Sequence, residues 1–111
     1  MADDTTLLDT LAAMTAASVE SCSLEPRELM LARIAALAAA GAPPASYLAN
    51  AGTASDLGIT LEDVQGVLIA IAPIVGTART VSAAGNIARA LGFAIAAIEA
   101  EVDAELAAEG D

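Results

Sequence analysis

Histidine, lysine and tryptophan are absent from this 111-residue chain, and cysteine occurs once, as Cys22. Without histidine the usual neutral-pH proton shuttle and the commonest metal ligand are both missing. Without a second cysteine no internal disulfide forms, which fits an intracellular setting. With no lysine, four arginines face fifteen acids, for a net charge of −11. Such a chain repels phosphate backbones and anionic membranes, so neither nucleic acid nor membrane is an expected partner. Aromatics are only 2% of residues, so bulky rings do not build the core.

Other absences bound location and cofactors. Met1-Ala2-Asp3-Asp4 has neither the positive charge nor the apolar run that opens a secretory signal. The longest uncharged apolar stretch, after Asp63, is interrupted by Gln65, Gly66, Pro73, Gly76 and Thr77, short of the ~20 apolar residues of a membrane span. The expectation is a soluble, cytoplasmic protein. No glycine-rich phosphate loop is present. Glu99, Glu101, Asp103 and Glu105 read as a solvated helix face rather than a metal cage. No metal and no cofactor is expected.

What is present is small and apolar. The hydrophobic fraction of 57% exceeds the ~45–50% usual for soluble domains. Alanine has the lowest helix cost and lets helices approach closely. An all-α, single-domain bundle of about five helices follows. A chain of this length has little room to hide all its apolar surface, so self-association is expected.

Local signals place the helices. Leu7, Leu8, Leu11 and Met14 recur at helical spacing from about Thr5 to Val19, with Asp3 or Asp4 as cap. Ser21-Cys22-Ser23 breaks the pattern. Glu25-Pro26 opens a second helix, because proline suits the first position and the preceding acid accepts orphan N–H groups; it stops at Gly41. A third runs from Pro44 to about Leu57 and closes at Gly58. Thr60-Leu61-Glu62-Asp63 is a capping-box variant that opens a fourth, ended or kinked between Pro73 and Gly76. The last runs from Thr77 past Ala107 and frays near Gly110. The chain thus divides into an N-terminal helix and linker (1–23), a helical core (24–95) and an acidic helix end (96–111).

Four landmarks carry a resemblance. They are Pro26-Arg27-Glu28-Leu29, leading into Leu31-Ala32-Arg33-Ile34; Gly58-Ile59-Thr60-Leu61-Glu62-Asp63-Val64; Val67-Leu68-Ile69-Ala70 ahead of Gly76; and Ala88-Arg89-Ala90-Leu91. In order and spacing this resembles the carboxymuconolactone decarboxylase family with its alkylhydroperoxidase branch, over about residues 24–92. The resemblance implies an alkylhydroperoxidase-like helical subunit, assembled as a ring, commonly a trimer or hexamer, with a cleft near a subunit boundary. The reactive residues of that family do not carry over. Counting back from Gly58, Asn50 stands at the histidine position, Ser46 at the second redox cysteine and Pro43 at the first. No acid lies between Glu28 and Asp56 to match the redox glutamate. Ile74 and Ala78 replace the aromatic and proline of the decarboxylase branch.

The surviving polar residues are the candidate site. Ser46 and Asn50 share a helix face, bordered by Tyr47 and Thr53. They form a hydrogen-bonding wall, with the alternative that Ser46 and Thr53 satisfy backbone carbonyls while Asn50 bridges to another helix. Arg33 and Arg79, set among apolar or small residues, are expected to be partly buried, clamping a carboxylate or pairing with an acid. Arg27 is expected to be held by Glu25, Glu28 or a neighbouring subunit. Arg89 is placed at a subunit or helix boundary. Cys22 is read as a linker cysteine, since no histidine lowers its pKa. The expected function is an oligomeric protein without the redox site. It binds a small apolar or carboxylated molecule through Ser46, Tyr47, Asn50, Arg79 and Arg33, or has a structural role. The alternative is a decarboxylase or isomerase on a small carboxylated, lactone-like metabolite. Peroxidase activity ranks last.

Overall fold

The computed structural model describes residues 5–109. Five helices follow one another: α1 (Thr5–Ser21), α2 (Pro26–Ala40), α3 (Pro44–Asp56), α4 (Leu61–Val75) and α5 (Thr77–Glu109), with no strand among the described residues. The residues expected to cap α1, Asp3 and Asp4, and the fraying point at Gly110 lie outside that range. α1 extends two residues past the expected Val19, and α5 passes the boundary drawn at 95 without a break.

The helix ends are set by local chemistry. At the start of α2, Pro26 occupies the first turn and Glu28 Oε1 accepts from the Glu25 N–H at 3.2 Å. Both halves of a capping box are present, although Glu25 is not a usual capping residue. At its end Gly41 turns left-handed (φ 73°). The Gly41 N–H then bonds the Ala38 carbonyl at 3.2 Å and the Ala42 N–H bonds that of Leu37 at 3.0 Å. These are the paired bonds of a Schellman turn. The same pair ends α3, where Gly58 donates to Ser55 and Ile59 to Ala54, both at 3.0 Å. α4 opens on Thr60, whose Oγ1 accepts from the Asp63 N–H (3.1 Å) while Asp63 Oδ2 accepts from the Thr60 N–H (2.9 Å).

α2 is the centre of the packing. It lies against α3, α4 and α5, while α5 also packs on α3 and α4. Among the described residues the buried side chains are Leu29, Met30, Ile34 and Ala38 from α2, Tyr47 from α3, and Ala83 and Ala90 from α5. The two alanines lie on one face of α5, two turns apart, and let the helices approach closely. α1 buries none of its residues and forms none of the principal helix pairings. Residues 95–109 of α5 are exposed throughout.

The result is an open subunit. Its accessible surface is 7671 Å², about 2,000 Å² more than a compact monomer of 10.9 kDa presents. Its radius of gyration is 16.6 Å, against about 13 Å for a compact domain of this length. By length and composition α5 would also qualify as a membrane-crossing helix. The longest uncharged stretch, after Asp63, lies mostly in the shorter α4 instead.

Candidate functional site

A cleft of about 290 Å³ opens between α2, α3, α4 and α5. The Schellman turn that ends α3 sends the chain back towards α2, so Ala54 and Ile59 face the same space. Ile34 and Leu37 come from α2, Val64 from α4, and Ile87 and Leu91 from α5. None of the lining residues is charged.

Tyr47 supplies the main polar feature of this wall. Its side chain is buried (8% exposed), and its hydroxyl has no hydrogen-bond partner among the described residues. Burial pushes the phenol up from its ordinary pKa, so it is a neutral donor at physiological pH. One turn along α3, Asn50 also lines the cleft; its Nδ2 donates to the Ser46 carbonyl at 2.9 Å. Asn50 thus back-bonds within its own helix instead of bridging to another. Its Oδ1 accepts no hydrogen bond among the described residues. A buried phenol donor and an amide acceptor on one apolar wall suit recognition of a single uncharged polar group.

The other expected site residues lie elsewhere. Ser46 is half-buried but does not line the cleft, and Thr53 is exposed. Arg79 is exposed and donates from Nη1 to the Ala39 carbonyl at 2.8 Å, capping the negative end of α2. It lines a shallow depression with Gly41, Gly76 and Ser82, apart from the cleft. Arg33, half-buried, reaches the Thr15 carbonyl of α1 at 3.3 Å. Among the described residues neither guanidinium is paired with an acid. Both satisfy backbone carbonyls, groups that a search for carboxylate partners overlooks.

Arg27 pairs with Asp63 of α4 at 2.7 Å rather than with Glu25 or Glu28. Glu28 is engaged with the Glu25 backbone in the α2 cap, and the fold brings the starts of α2 and α4 together. Arg89 donates to Asn86 Oδ1 (3.0 Å), and Asn86 in turn donates to the Ala42 carbonyl (3.2 Å). Cys22 is half-buried in the α1–α2 connection and is not part of the cleft lining. No group of side chains suited to a metal ion occurs among the described residues.

The sequence reading missed the apolar walls. Ile87, Leu91 and Ala94 recur at helical spacing, a signal that reads equally well as an ordinary core stripe. Together the residues define an all-helical protein with an uncharged apolar cleft. No protein-family model matches the chain, and neither a curated protein nor a solved structure gives a significant match.

Proposed function

We propose that this chain is a subunit of the carboxymuconolactone decarboxylase type that has lost the redox site. Its cleft binds a small, uncharged, mainly apolar molecule bearing one hydroxyl or carbonyl group. The observation that carries this reading is the Tyr47 hydroxyl, buried beside an apolar cleft and without a partner among the described residues. A buried polar group left unsatisfied costs about 1–3 kcal/mol, which a ligand's polar atom recovers on binding. The family part of the reading is supported by five helices with the Thr60–Asp63 cap opening α4 directly after Gly58. The working form is a cytoplasmic homo-oligomer, a trimer or hexamer by the same resemblance, and its support is the chain's unusually large exposed surface.

A carboxylated ligand fits less well. Arg33 and Arg79 do not line the cleft, so a decarboxylase or isomerase would lack its anion clamp there. Peroxide reduction needs a thiol at the site, and Cys22 is outside it.

Titration with 2-naphthol, an aromatic alcohol small enough for the cleft, tests the reading by its fluorescence. Wild-type protein is expected to bind 2-naphthol better than naphthalene. Tyr47→Phe should weaken naphthol binding roughly tenfold and leave naphthalene unchanged. Equal affinities for the two compounds, unaltered by Tyr47→Phe, would overturn the proposal.

A further inference from the structure

Two long apolar stripes have no counterpart within the subunit. On α1, Leu7, Leu8, Leu11, Met14 and Val19 are all exposed, and Asp9 and Glu20 lie on the opposite face by helical spacing. On α5, Leu91, Ile95, Ile98, Val102 and Leu106 are exposed within an arc of roughly 80°. From Leu91 to Val102 the steps alternate four and three, the spacing of a helix–helix seam. The stripes are of comparable length: Leu7 to Val19 spans about 18 Å and Leu91 to Leu106 about 23 Å.

The α5 stripe runs into the cleft. Leu91 belongs to both, and Ile87 and Ala94 continue the cleft wall along the same side of α5. Leu61 and Leu91 line the cleft yet remain exposed, so its rim is open. The excess surface of about 2,000 Å² per chain is of the size that obligate subunit interfaces bury. The charged residues of α1, Asp9 and Glu20, and those of α5 beyond Leu91 are all acidic, which does not favour a nucleic-acid or anionic lipid surface as the covering group.

We propose that α1 of a second copy of this chain lies along the Leu91–Leu106 stripe of α5 and closes the rim of the cleft. The ligand site is then completed by exchange of α1 between copies. The closure half of this inference rests on the cleft reading above; the pairing half does not.

Cross-linking tests the pairing. Leu11 and Ile98 sit near the middle of their stripes, so they meet whether the helices run parallel or antiparallel. Leu11→Cys and Ile98→Cys are made separately with Cys22→Ser, mixed, and oxidised. Mixed disulfide dimers should exceed like-with-like dimers at least about tenfold, and wild type should be oligomeric by light scattering at micromolar concentration. Predominantly like-with-like dimers, a monomeric mass, or monomers that co-sediment with phosphatidylcholine vesicles would overturn the pairing.

Dissociation of 2-naphthol tests the closure. Leu11→Glu places a charge on the exposed α1 face without touching the subunit core, and should release the probe at least about tenfold faster. An unchanged rate would overturn the closure. Failure of the wild type to bind naphthol would sink the cleft reading and leave the cross-linking result to decide the pairing.

Discussion

α1 and α2 are nearly the same length, 17 and 15 residues, and both present leucines and a methionine among alanines. Yet α2 buries four side chains and α1 buries none. The difference is one of position. α2 is surrounded by α3, α4 and α5, whereas the apolar face of α1 meets nothing of comparable extent in its own subunit. α5 repeats the contrast within one helix: Ala83 and Ala90 are buried, and everything from Ile95 onward is exposed. An amphipathic face records only that something should cover it. Which partner covers it is decided by the rest of the fold or by another chain.

The sharpest way to break this comparison is the same substitution in both helices. Met30 in α2 is 2% exposed and Met14 in α1 is 62% exposed. Met30→Ala should cost about 2–4 kcal/mol in urea unfolding, from lost burial and the cavity left behind. Met14→Ala should stay within about 0.5 kcal/mol at dilution where only single subunits are present. Its cost should grow with protein concentration if α1 is buried between copies. Equal costs at high dilution would show that α1 is part of the subunit core after all.

Next in size is Gly76, which joins α4 to α5 at φ 90°, ψ 160°, a conformation that essentially only glycine adopts. No atom beyond its chain neighbours lies within 4 Å of an added Cβ. Gly76→Ala therefore isolates backbone strain and should destabilise by about 1–3 kcal/mol, read by thermal unfolding. A smaller effect of opposite sign is expected at Tyr47. Tyr47→Phe removes an unsatisfied buried hydroxyl and should stabilise the unliganded protein by about 1 kcal/mol. That corresponds to a rise of roughly 4 °C in Tm. A fall in Tm would show that the hydroxyl already has a partner.

The smallest effect is a pH dependence at the exposed α2–α4 junction. The Asp63 carboxyl is held below its ordinary pKa, first by the Thr60 backbone N–H, then by Arg27 and the Thr60 hydroxyl. A lowered folded-state pKa means stability that is complete above the unfolded value, about 3.9, and is lost as pH falls through the lower folded one. Asp63→Asn should leave a shallower fall in stability below pH about 4, measured by acid titration of helicity. A variant that keeps the wild-type slope would place the acid sensitivity elsewhere.

These contrasts also explain what could be read from the chain alone. The ends of α2, α3 and α4 were legible because their signals are local: Pro26, the glycines at 41 and 58, and the Thr60–Asp63 pair each act within a few residues. Tyr47 and Asn50 were legible as cleft candidates because three residues along a helix bring side chains to one wall. The arginines were not. Arg27 finds Asp63, and Arg79 finds the Ala39 carbonyl 40 positions away, only after the helices have packed. Partial burial, expected of both Arg33 and Arg79, holds for Arg33; for exposed Arg79 the expectation treated apolar neighbours in sequence as neighbours in space. Ser46 and Thr53 show the limit of a helix-face argument: the first shares the Asn50 face and the second borders it, yet neither lines the cleft.

The single residue between α4 and α5 has a mechanical consequence. Gly76 fixes the direction of a helix 33 residues long, about 50 Å from elbow to tip. Its carbonyl is held by both the N–H and the hydroxyl of Thr80, at 3.1 and 2.8 Å. A swing of about 10° at that elbow displaces the far end by about 8 Å over such a length, more than one helical turn. The hydrogen-bonded clasp at Thr80 thus aims a long lever, and with it the reach from one chain to the next.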